Sequence, residues 1–114
     1  MTESKFITQH KLTPSETEFE DSIAIIEQNY NFDPVAFRVG KQVNEAGTNL
    51  GSCKIFAFAQ KHSLSKDETL HLFGRFYRED VLGNPSGSDH QNIRNFMLIG
   101  WGETIFEGEP LTEK

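Results

Sequence analysis

The chain has 114 residues, with 17 acidic against 11 basic side chains and a net charge of −6, and a sequence pI near 5.1. That length fits one ordinary domain, and the acidic balance repels nucleic-acid backbones and anionic membranes, which argues against either as a partner. The single cysteine, Cys53, excludes an intramolecular disulfide, and no apolar run approaches the ~20 residues that cross a bilayer.

Ten phenylalanines predict a packed core despite an apolar fraction of only 36%, because each buried aromatic removes on the order of 150–250 Å² from water. The start, Met1-Thr2-Glu3-Ser4-Lys5, lacks the apolar stretch of a secretory signal. The expectation is therefore a monomeric protein of the bacterial cytoplasm that carries no cofactor.

Residues 1–12 are polar apart from Met1, Phe6, Ile7 and Leu12, and read as a loosely held arm or a short strand. Thr13-Pro14-Ser15-Glu16 is a capping signal, with Pro14 suited to a first helical position. Phe19, Ile23, Ile26 and Tyr30 follow as one apolar stripe, so a helix is predicted from about Pro14 to Asn29. Asp33-Pro34 breaks it, and the alternation of Val35, Phe37 and Val39 predicts a strand with one buried face. Lys41 to Gly51 is mostly polar, with Asn44, Gly47, Asn49 and Gly51 as turn formers, and reads as a loop.

Ser52 to about His62 is predicted as a central helix, since Ile55 to Ala59 leaves it apolar almost all round. Ser65-Lys66-Asp67-Glu68 is a second capping box and opens a helix predicted to reach Leu82. Gly74 in its middle, about 1 kcal/mol worse than Ala there, points to close packing against another element. Ser88 or Asp89 then caps a helix through about Ile99, and Thr104-Ile105-Phe106 reads as a second strand. The outcome is an α+β domain over residues 13–111, mainly helical with about four helices and a small sheet of short strands. Residues 112–114 are expected to fray.

Several blocks in one order carry a resemblance. They include Val43-Asn44-Glu45-Ala46-Gly47-Thr48-Asn49, Gly51-Ser52-Cys53-Lys54-Ile55-Phe56-Ala57-Phe58-Ala59, Phe73-Gly74, Tyr77-Arg78, Asp80-Val81-Leu82, Asp89-His90-Gln91-Asn92-Ile93-Arg94-Asn95-Phe96-Met97 and Gly100-Trp101. Across roughly residues 19 to 111 the chain resembles the HopJ family of type III effector-like proteins. The resemblance implies a family first named for a protein that plant-pathogenic bacteria deliver through type III secretion. It brings a fold and no catalytic residues. Thr2 to Thr17, rich in Ser, Thr and Gln, is compatible with a type III signal and equally with an ordinary polar terminus.

Four places could carry chemistry. Cys53 stands at a predicted helix start beside Lys54, where amide N–H groups and the positive helix end would favour a thiolate; the plainer reading is an inert core thiol, since free cysteine is among the most buried residue types. His90, with Asp89 or Asn92 to orient it, could act as a general base and Arg94 could hold a ligand, or Asp89 or Ser88 could simply cap the helix while His90 and Arg94 lie on a solvated face. Arg78 could grip an anion bidentately or belong to a charged helix surface. The Asn44 to Lys54 region, with Asn49 and Ser52, could cradle an anion or small ligand at a helix start, and Trp101 could wall it or complete the core. His10, His62 and His71 lack the spacing of a zinc site, so no metal is expected. Partner binding without catalysis is the first reading, a small enzyme using Cys53 or His90 the second, and a small-molecule or anion binder the third.

Overall fold

A computed structural model describes residues 1–114. The first twelve residues, expected as a loose arm or strand, form helix α1 (Glu3–Leu12). Thr2 caps it by accepting from the Lys5 amide at 3.1 Å. No apolar stripe marks this helix in the sequence, because its buried face consists of Phe6 and a histidine, His10. Phe6 packs on Phe58, with ring centroids 6.3 Å apart.

Thr13 ends α1 rather than starting the next helix: its hydroxyl donates back to the Gln9 carbonyl at 3.2 Å. Pro14–Glu16 is one 3₁₀ turn, and α2 (Phe19–Asn29) begins later than expected. Its capping box is Glu18 with Asp21, an acid at both positions with no Ser or Thr at the first, and so it hides from a motif search. α2 turns Ile25 and Ile26 inward, and its buried Ser22 donates to the Leu72 carbonyl at 2.9 Å.

Two small antiparallel sheets follow. β1 (Tyr30–Phe32) pairs with β5 (Leu111–Glu113), Phe32 opposite Leu111. The tail expected to fray is therefore a strand, anchored by the fully buried Leu111. β2 (Phe37–Val39) lies between β3 (Gln42–Asn44) and β4 (Thr104–Phe106), so the two predicted strands do pair. Phe37 and Val39 face the core, while Arg38 stands between Val43 and Ile105 on the outer face. The expected loop from Lys41 thus begins as the second arm of a hairpin, turned by Gly40 at φ +60°.

α3 (Leu50–Lys61) runs through the centre, with Cys53 and the whole of Ile55 to Ala59 buried. Phe56 meets Phe73, Phe96 and Trp101 at centroid distances of 5.2, 4.9 and 6.4 Å. α4 (Lys66–His71) starts at the predicted Ser65 and Glu68 box but stops far short of Leu82. Gly74 takes φ +59°, and a Cβ there would lie 2.5 Å from the Phe19 amide nitrogen. The predicted close packing is real, and it breaks the helix: Phe76–Val81 continues as a separate π-helical segment. α5 (Gln91–Ile99) and a 3₁₀ turn at Gly100–Glu103 lead into β4. No helix is long and apolar enough to cross a membrane.

Candidate functional site

Beside the β2–β3 hairpin, three carboxamides from distant parts of the chain meet. Asn44 Nδ2 donates to Asn92 Oδ1 at 2.9 Å, and Asn92 Nδ2 returns a bond to Asn44 Oδ1 at 3.0 Å. Asn49 Nδ2 donates to the same Asn44 oxygen at 2.6 Å. Asn44 and Asn92 are 1% and 5% exposed, and this mutual pairing is what makes their burial tolerable, since an unpaired buried amide costs about 1–3 kcal/mol.

The three asparagines tie β3 to the first residues of two helices. Asn49 precedes α3 at φ 48°, and His90 precedes α5 at φ 51°. In this left-handed conformation neither side chain caps its helix. Nor do Ser88 or Asp89, the expected caps, because the chain turns at His90 before the helix begins. The backbone N–H groups of Leu50, Gly51 and Ser52, and of Gln91, Asn92 and Ile93, find no acceptor within the chain. Neither helix carries an acidic residue in its first turn.

Both starts open into one cavity of about 290 Å³, lined by Gln42, Asn49, Ser52 and the run His90 to Ile93. No carboxylate, lysine or arginine lines it. Ser52 and His90 share its wall, yet no hydrogen bond joins them. Instead His90 Nε2–H donates to Asp80 Oδ2 at 3.1 Å, with the Phe76 ring tilted against it at 5.3 Å.

The other residues singled out in the sequence take different places. Asp89 pairs with Arg94 at 2.6 Å, which holds its carboxyl below the usual range, and lies 3.9 Å from His90 Nε2. Arg94 also donates to the Asn84 carbonyl at 2.9 Å, so it fastens the 84–89 loop to α5. Cys53 is 1% exposed, and burial pushes its thiol up, away from the thiolate. Lys54 reaches Glu27 at 3.7 Å and lies over the Phe32 ring. It turns away from the cavity because two residues along a helix rotate about 200° from Ser52. Arg78 donates to the carbonyls of Pro14 and Thr17, stitching the π-helical segment to the chain before α2. Trp101 donates to the Leu64 carbonyl at 3.0 Å with its ring in the Phe56 and Phe96 cluster, so it belongs to the core. No group of three or more His, Cys, Asp or Glu side chains could hold a metal ion.

Sequence reasoning missed Gln42, Gln91, Ile93 and Asp80. Gln42 was hidden in an apparent loop, and Asp80 lies ten residues from the histidine it meets.

Fold and site together define a small α+β protein with a neutral, hydrogen-bonding cavity at two helix starts. The chain matches the model of the HopJ type III effector protein family over residues 3–111, and it belongs to that family. The match takes in α1, the segment read from sequence as a loose arm. A solved crystal structure of a protein of unknown function, VPA0580, is similar at a TM-score of 0.98 and 51% identity, covering 100% of this chain and 95% of that one. No curated protein matches the chain.

Proposed function

We propose that this HopJ-family chain is a binding protein rather than an enzyme, and that the cavity between α3 and α5 holds an oxyanion carried by its ligand. The observation behind this reading is the convergence of two uncapped helix starts on one cavity free of carboxylates. A helix start carries roughly half a positive charge together with free N–H donors, and two such ends in one cavity reinforce each other. The Ser52 hydroxyl and the Gln42 and Gln91 carboxamides add neutral donors. Asp80 and Asp89, which approach through His90, are engaged with that ring and with Arg94.

An enzymatic role has less behind it. The only thiol is buried and held protonated, and Ser52 has no base bonded to it. Delivery as a type III effector accords with the family; a secretion reporter fused to residues 1–20 tests it, export supporting delivery and retention opposing it.

Thermal unfolding in phosphate, sulfate or acetate, against chloride at equal ionic strength, tests the cavity. Each oxyanion should raise the Tm, and Ser52→Asp should abolish that rise while itself stabilising the chain by about 0.3–1 kcal/mol, a carboxylate at a helix start. An equal rise in the variant would put the anion elsewhere.

A further inference from the structure

A second and larger cleft, of about 350 Å³, lies between α1, the 3₁₀ turn and α2. Its floor is made of the buried residues Phe6, Ile25, Thr17 and His10. Gln9, Gln28, Glu16 and Asp21 stand around the mouth, with Ala24 on the wall, and no lysine or arginine lines it. Glu16 and Asp21 are also free of any ion pair, whereas Glu18, Glu20 and Glu27 each meet a lysine or arginine.

A half-apolar cleft with convergent polar groups at its rim has the size and make-up of a small-molecule site. The charge at its mouth selects the ligand. We propose that this cleft takes a small amphipathic amine, its apolar body on Phe6 and Ile25 and its ammonium group between Glu16 and Asp21. An anionic ligand would meet two carboxylates that have no cationic side-chain partner, whereas an ammonium group adds an ion pair at Glu16 and at Asp21, which keeps its 3.3 Å bond from the Glu18 amide. The polar floor needs no help from a ligand, since His10 is already bonded on both ring nitrogens, to Thr17 Oγ1 at 2.6 Å and to the Glu68 carbonyl at 2.7 Å. What remains to be recognised is therefore apolar surface below and negative charge above. This site is independent of the oxyanion cavity.

The test is a titration of the full chain with benzylamine, benzyl alcohol and benzoate, followed by backbone amide shifts in two-dimensional NMR. Benzylamine should move the amides of Phe6, Ile25 and their neighbours in a saturable way, with the alcohol much weaker and benzoate without effect. Glu16→Gln should weaken benzylamine by about two- to fivefold, the range of one exposed ion pair. Ala24→Phe should block the cleft while keeping the Tm of the parent chain; if it unfolds the protein, Glu16→Gln and the three-ligand comparison decide. Equal binding of alcohol or benzoate, or amine-induced shifts confined to other regions, would overturn the proposal.

Discussion

His10 is 1% exposed, and its bonding fixes its tautomer. The Glu68 carbonyl can only accept, so Nε2 carries the proton and Nδ1 accepts from the Thr17 hydroxyl. Burial, with His71 and Arg78 nearby, lowers its pKa from the ordinary 6.5, and burial likewise lowers that of His71. A histidine whose folded pKa is depressed binds fewer protons folded than unfolded, so its contribution to stability is present above pH 6.5. That contribution is lost progressively as the pH falls below 6.5 toward the folded value. Denaturant unfolding between pH 7.5 and 5 should show this decline, and His10→Gln should reduce the slope; an unchanged slope would refute the assignment. None of this was legible in the sequence, where His10 sat in a polar segment with no apolar period. Asn44 stood out as part of a possible ligand cradle and Asn92 as a neighbour of His90, but not as each other's partner: they are 48 positions apart, and nothing local marks two amides as a pair. Cys53 was legible as an inert core thiol, since free cysteine is among the most buried residue types, and it is 1% exposed. The helix start itself was placed too late: α3 begins at Leu50, so Cys53 is its fourth residue.

At the level of elements, the local signals worked where the causes are local. The Ser65 and Glu68 box, the alternation of Phe37 and Val39, and the all-round apolarity of α3 appear as read. The failures fall where tertiary contact overrides propensity. Gly74 shows this best, since the residues around it look helical and only the approach of the Phe19 backbone forces the left-handed turn. Gly74→Ala should therefore destabilise by more than the ~1–2 kcal/mol of a left-handed alanine, because a backbone clash adds to it. Chemical denaturation measures this directly, and a loss near the ordinary helix preference of Ala over Gly would mean that the break is not enforced by packing. α1 fails for another reason: its burial rests on two residues, Phe6 and His10, too few for a pattern. β5 is similar, with Leu111 alone facing the core.

At the scale of the molecule, the N- and C-terminal segments close the fold. α1 lies on α2, and β5 lies on β1, so what looked like a domain with loose ends is ordered from Glu3 to Glu113. The three-stranded sheet does more than cover the core. By holding β3 against the starts of α3 and α5, it sets Asn44 between Asn49 and Asn92 and leaves the two helix starts facing one cavity. Those starts are uncapped, unlike α1, α2 and α4, whose first turns are closed by Thr2, Glu18 and Ser65. The contrast within one chain is the strongest reason to assign the cavity a ligand, and net charge works the other way. A protein at −6 repels anions at long range, so a bound oxyanion has to be held by short-range donors rather than by the general field.

A phosphate titration followed through the backbone amides puts that assignment to the test most directly. Saturable shifts are expected at Ser52, Gln91, Asn92 and Ile93, with Gly51 and His90 beside them. Shifts scattered over the basic side chains, or none at the two helix starts at phosphate concentrations that raise the Tm, would contradict it.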